Sequence, residues 1–175
     1  KHDFKDSKKE VIRLEKENPL VSIITPCYNG ENVMHRLLDS ILSQTYSNIE
    51  FILINDGSTD HSEEIWYQYE KKFNEKGIKT IYIHQRNQGL GAAINAGLKV
   101  FTGDYLCWPD IDDYFEDTSV EKRVNFLETH KEYGSVSSDA NQYMEDNLSE
   151  PVGTMASWLK HKEDEWQFEW LLKGQ

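Results

Sequence analysis

Four short apolar runs punctuate this chain, and each is cut off by polar, glycine-rich or acidic residues. They are Leu20–Ile24, stopped by Pro26; Ile49–Ile54, stopped by Asn55-Asp56-Gly57; Thr80–Ile83; and Tyr105–Trp108, stopped by Pro109. Runs that are apolar at successive positions suit strands buried on both faces, as in a parallel sheet. Helical spacing fills the gaps. Val33, Leu37, Leu38, Ile41 and Leu42 share one helical face, as do Ile65, Tyr69 and Phe73. Ile94, Leu98 and Phe101 line one side of an alanine-rich third helix, and Val120, Val124 and Leu127 mark a fourth. Asp60 with Glu63, and Thr118 with Glu121, have the spacing of capping boxes. Strand alternating with helix means repeated right-handed βαβ units, so the expected class is α/β with a mostly parallel sheet.

That order locates a site. In an open parallel sheet, ligands bind beyond the carboxyl ends of the strands. The segments arriving there are Thr25–Gly30, Asn55–Asp60, Asn87–Gly91 and Asp110–Asp113. In the last of these, Asp110, Asp112 and Asp113 place three carboxylates within four positions, where they repel one another unless a cation sits among them. So few protein ligands suit Mg²⁺ or Mn²⁺ that also draws on water and substrate phosphates. Outside this setting the same triplet would read as a solvated turn. Asp56 can accept hydrogen bonds from a nucleotide, or serve only as turn chemistry in Asn-Asp-Gly-Ser. Tyr28 offers a face for a base, or loop packing. Backbone N–H groups around Gly89, ahead of the alanine-rich helix, favour phosphate. Together these residues point to nucleotide, phosphate and divalent metal, without saying which group is transferred.

Charge narrows the partners. The chain of 175 residues carries a formal net charge of −12, which disfavours nucleic acid and anionic headgroups. No apolar stretch approaches the roughly 18 residues of a membrane span. Cys27 and Cys107 have no framework spacing, so two buried free thiols and a cytoplasmic location are expected. The aromatic tail from Trp158 to Leu172 could lie against the inner face of a membrane as a peripheral contact, although core packing is the plainer reading.

Four blocks, VSIITPCYNGE, FILINDGSTD, NQGLGAAINAGL and GDYLCWPDIDD, resemble glycosyltransferase family 2 in order and spacing. The resemblance covers about residues 20–114 and implies a GT-A fold, Rossmann-like, with a mostly parallel sheet and helices on both faces. It implies inverting transfer from a nucleotide-sugar, most often a UDP-sugar, to a hydroxyl of a carbohydrate or lipid-linked acceptor, in polysaccharide or glycolipid synthesis. By position, Pro26, Tyr28 and Asn29 would line the nucleotide pocket. Asp56 would read the base beside Gly57 and Ser58, with Asn87 and Gly89 also at the nucleotide. Asp110 and Asp112 correspond to the D-x-D pair: Asp110 near the ribose or metal-bound waters, Asp112 at the metal and diphosphate. The expected cofactor is Mn²⁺ or Mg²⁺.

Two departures stand out. Ile94 occupies a position where the family usually has arginine, and Arg86 is the candidate replacement. The family's base lies in an acidic motif of the second half. Here Glu163-Asp164-Glu165 is the only dense acidic stretch, making Asp164 the candidate base, against a reading as charged helix surface. The expected organisation is a polar arm over 1–19, a nucleotide-sugar-binding βα half over 20–115, and an acceptor-side region over 116–175 that stops short of completion. The alternatives are a nucleotidyltransferase, which would want a basic, glycine-rich first loop; a non-catalytic nucleotide-sugar-binding module; and a phosphoacceptor domain, which would want a late lysine.

Overall fold

A computed structural model describes residues 18–144 and 147–154. The order is β1 (Val21–Cys27), α1 (Met34–Leu42), β2 (Ile49–Asn55), α2 (Ser62–Glu75), β3 (Lys79–His84), α3 (Leu90–Gly97), β4 (Tyr105–Cys107) and α4 (Ser119–Thr129), followed by β5 (Asn141–Gln142) and β6 (Gly153–Thr154). The first four strands form one parallel sheet in the order β3-β2-β1-β4. The short antiparallel pair β5–β6 belongs to a second compact unit, 135–175, and the sheet with its four helices to the first, 1–134. Helix α4 packs Val120 and Val124 into the core of the first unit.

Strand alternation divides the core. Val21, Ile23 and Cys27 of β1 and Ile49, Phe51 and Leu53 of β2 point to the face covered by α1, α2 and α4. Ile24, Ile52 and Ile54 point to the opposite face, covered by Ala93 of α3. Phe51, Trp66 and Phe73 form an aromatic cluster, Phe51 and Phe73 stacked at 5.1 Å between ring centres. The central strands β1 and β2 are buried at every position. On the outer strands burial is only partial, because each has a single neighbour among the described residues.

Several local expectations change. Pro26 does not end β1, which continues to Cys27. The Cys27 carbonyl accepts from Asp56 N, so odd-numbered residues of β1 bond towards β2 and Pro26 faces the other way. There β4 has already ended, its last pair being Ile23 with Cys107, so no ladder bond is lost for want of an N–H. The inward face of α3 is Ala93 and Gly97, whereas Leu98 and Phe101 are exposed. A Cβ on Gly97 would lie 2.5 Å from Ile24, so the helix rides too close to the sheet for large side chains. On α2 the buried centre is Trp66, with Ile65 at its margin.

Neither capping box forms. Asp60 bonds to the Ser62 N–H and hydroxyl and to Glu31 N, while Glu63 accepts from Tyr67 and Tyr82. The start of α4 is satisfied from outside: Gln44 Oε1 accepts from Val120 N at 3.0 Å, and Glu121 turns instead to Thr45.

At the amino ends of the strands, opposite the site, Glu50 is fully buried and collects the Ser22 hydroxyl, the Thr102 N–H and hydroxyl, each at 2.8 Å, and Lys79. This carboxylate ties three strands and the approach to β4 together. Burial opposes its charge, but the Lys79 and Thr102 bonds outweigh that and hold its pKa low.

Candidate functional site

The carboxyl ends of β1, β2 and β3 are sewn into one wall. Asn29 takes a left-handed backbone conformation, φ 52°, donates its N–H to Ser58 Oγ at 3.0 Å, and accepts Thr59 N on its side-chain oxygen at 2.8 Å. Gly30 N donates to Ser62 Oγ, and Glu31 exchanges bonds with the 60–61 segment. Asn55 Oδ1 accepts Ser58 N, closing the β2 turn. Gly57, at φ +75°, lies so near the next loop that a Cβ there would sit 2.7 Å from Asn87 N. Sequence reading grouped Pro26, Asn29, Asp56, Gly57, Ser58, Asn87 and Gly89 around a nucleotide; the structure brings them to this wall, with Pro26 buried and Tyr28 53% exposed.

Asp56 is the knot of that wall. Its carboxylate is buried, and Oδ1 accepts from Gln85 Nε2 at 2.7 Å and Gln88 N at 2.9 Å. Oδ2 accepts from Gly89 N at 2.8 Å. Burial would raise its pKa, but the bonds from Gln85, Gln88 and Gly89 bring it below the ordinary aspartate value. The amides of Gln88 and Gly89, expected to meet phosphate, are therefore already engaged by a protein carboxylate. Arg86 was the expected substitute for the absent arginine, but it is exposed, and the side chain that meets Asp56 is Gln85. Nothing local in the sequence marks Gln85, since its partner lies 29 residues earlier.

The other wall, after β4, is built differently. Ile111, between the two carboxylates of the D-x-D pattern, packs on Gly30: a Cβ there would lie 3.1 Å from Ile111 and 3.0 Å from Cys27 Sγ. Asp110, Asp112 and Asp113 are exposed. Asp113 N donates to the Asp110 carbonyl at 3.1 Å, closing a tight turn. Phe115 N then bonds Ser40 Oγ and Gln44 Nε2 bonds the Glu116 carbonyl, so the segment leaving the turn is anchored on α1. The Asp113 pKa is raised, first by desolvation and further by the charges of Asp112 and Asp110. Oxygen donors that repel one another are the kind a hard divalent cation would draw together, with water or substrate oxygens completing its shell. Among the described residues no group of three or more His, Cys, Asp or Glu side chains is gathered closely enough to hold a metal ion by itself.

Cys27 is buried and Cys107 half-buried; both are free. Burial pushes the Cys107 thiol up to about 12, although Arg123 pulls the other way. Asp164 and the aromatic tail lie outside the described residues. No helix among the described residues is long and apolar enough to cross a membrane.

A parallel sheet with helices on both faces and its loops gathered at the carboxyl edge of the strands places the chain among the open α/β proteins, which bind ligands at that edge. Residues 22–171 match the family described as glycosyl transferase family 2, and the chain belongs to it. The chain is 44% identical over 110 residues to an uncharacterised glycosyltransferase of Rickettsia prowazekii, covering 63% of this chain and 32% of that protein. It is 46% identical over 101 residues to glycosyltransferase GlyA of Streptococcus pneumoniae, covering 58% and 14%. Among solved structures it resembles S. aureus TarS 1–349 in complex with UDP, at a TM-score of 0.59 and 26% identity, over 64% of this chain and 33% of that one. The same protein with UDP-GlcNAc gives a TM-score of 0.59 at 27% identity, covering 64% and 32%. The chain thus spans about a third of the length of the Rickettsia prowazekii relative. Family membership sets aside the nucleotidyltransferase and phosphoacceptor alternatives.

Proposed function

We propose that this chain carries the donor-binding part of a metal-dependent, inverting glycosyltransferase that moves a sugar from a UDP-sugar to a hydroxyl acceptor. The observation that carries the reading is the pairing of two unlike walls on one sheet edge: the Asp56 wall, whose carboxylate takes three hydrogen bonds from the protein, and the Asp110–Asp113 turn, whose carboxylates repel. The TarS structures in complex with UDP and UDP-GlcNAc support the choice of donor.

In this reading Tyr28 and the Asp56 wall hold the nucleoside, and Asp110 and Asp112 hold Mn²⁺ or Mg²⁺. When bound, the ion neutralises charge developing on the departing diphosphate. The acceptor oxygen forms a bond to the anomeric carbon as the bond from that carbon to the diphosphate oxygen breaks, inverting the centre. A carboxylate takes the acceptor proton as general base, and Asp164 is the candidate. The acceptor belongs to a growing polysaccharide or a glycolipid, and the enzyme works in the cytoplasm.

The test is turnover. The protein, in its full natural length, is incubated with Mn²⁺ and a panel of UDP-, GDP- and dTDP-sugars, and nucleoside diphosphate release is followed. Release confined to UDP-sugars and abolished by chelation supports the reading. Release that is indifferent to chelation, or confined to another base, overturns it.

A further inference from the structure

Within that reading, the Asp56 wall carries an unassigned selectivity. An ionised carboxylate only accepts hydrogen bonds and has about four lone-pair positions. Among the described residues Asp56 uses three of them, on Gln85, Gln88 and Gly89, leaving one on Oδ2. It can therefore accept one ligand N–H, and it can donate nothing. A ring N–H flanked by a carbonyl, as in uracil, also requires a donor beside that acceptor.

Gln85 is placed to be that donor. Its backbone N–H is bonded to the Asn55 carbonyl at 2.9 Å, extending the β2–β3 ladder by one residue. Its side chain is half-buried and bonded to Asp56 Oδ1 at 2.7 Å. Because Asp56 accepts only, the amide must present nitrogen to it, which settles the orientation of the carboxamide. Among the described residues the second N–H has no partner, so the same carboxamide that braces Oδ1 can donate to a ligand whose N–H is taken by Oδ2.

We propose that Gln85 is a specificity-determining residue for the nucleobase: together with Asp56 it reads a ring N–H with its adjacent carbonyl and disfavours cytosine, which presents a lone pair and an amino group instead. Guanine shares the N–H and carbonyl edge, so the pair separates uracil from cytosine and leaves guanine to other contacts. This inference rests on the nucleotide reading of the site.

Calorimetric titration with UDP and CDP in the presence of Mn²⁺ tests it on the wild-type chain and on Gln85→Ala and Gln85→Glu, each first shown to melt cooperatively. Gln85→Met, which keeps the length without the hydrogen bonds, replaces the alanine variant if that one unfolds. Wild type is expected to prefer UDP by about tenfold or more, as expected when a buried polar pair would be left unmatched. The ratio should shrink to a few-fold in Gln85→Ala. In Gln85→Glu, where the donor becomes an acceptor, UDP should weaken further and the preference vanish. A residue that only braces Asp56 would weaken both nucleotides by one common factor, so an unchanged UDP to CDP ratio in both variants overturns the proposal while leaving the nucleotide reading standing. Wild type that binds neither UDP, CDP nor GDP overturns both.

Discussion

Asp56 and Asp112 stand near the carboxyl ends of two strands of one sheet, and they are built in opposite ways. Asp56 is buried, with three donors on its two oxygens and a lowered pKa. Asp112 is exposed beside Asp110 and Asp113, and its charge helps raise the Asp113 pKa. A carboxylate whose bonds are made within the protein is part of the fold. A group of exposed carboxylates that repel contributes little to the fold and, in the proposed reading, is where a cation would bind. Substitutions should therefore separate the two walls: one wall loses stability, the other loses activity.

The largest effect is expected on the open wall. Asp112→Asn in the full-length protein should lower turnover by about a hundredfold or more, the scale of losing one electrostatic contact to a leaving group. Its melting temperature should match wild type; a matched turnover would remove Asp112 from the metal site. The closed wall should answer the other way. Asp56→Ala removes the acceptor of three part-buried hydrogen bonds, from Gln85, Gln88 and Gly89, at about 1 kcal/mol each. Denaturant unfolding should show the loss even without nucleotide, and wild-type stability in that variant would break the comparison.

Gly57→Ala should cost about 1–3 kcal/mol, since φ is +75° and the new methyl would meet Asn87 N at 2.7 Å. Thermal melts would read it. Acid unfolding sharpens the contrast in sign. The folded-state pKa values of Asp56 and Glu50 are depressed, so their stabilisation is complete above the unfolded carboxylate values, 3.8 and 4.5, and is lost as pH falls through the lower folded values. Asp113 has a raised pKa, so its penalty is present above that value and is relieved as pH falls. Asp56→Asn should flatten the acid limb of a stability-versus-pH curve. Smallest of all, Asp113→Asn should leave metal-free stability unchanged or slightly higher, within about 0.5 kcal/mol. A clear loss would mean that the acidic turn is structural after all.

The open wall was the more legible in the sequence. Asp110-Ile111-Asp112-Asp113 is contiguous, and its placement after an apolar run carried the metal reading without any tertiary information. The strand and helix order was legible for the same reason, since β1 and β2 are buried on both faces and the runs Leu20–Ile24 and Ile49–Ile54 are mostly apolar, interrupted only by Ser22 and Glu50. What escaped depends on contacts between distant segments. Asp56 could be seen as a site residue, but its partners at 85, 88 and 89 could not, and so neither could Gln85. Helical periodicity gave α3 the face of its largest side chains, whereas close approach to Ile24 at Gly97 selects the smallest. Pro26 was read as a stop because the sequence does not say on which side β1 lacks a partner. Both capping boxes had the right spacing, but Asp60 and Glu121 are drawn to Glu31 and Thr45 across the loops.

The account turns on whether the two walls act together on one ligand. Calorimetric titration of the chain with UDP, with and without Mn²⁺, tests this most directly, using wild type and Asp112→Asn. The expected result is binding by wild type that strengthens by about tenfold or more when Mn²⁺ is added, and a loss of that gain in Asp112→Asn while its metal-free affinity is unchanged. UDP affinity that is the same with and without Mn²⁺ in wild type would contradict the account, because the acidic turn would then play no part in holding the nucleotide.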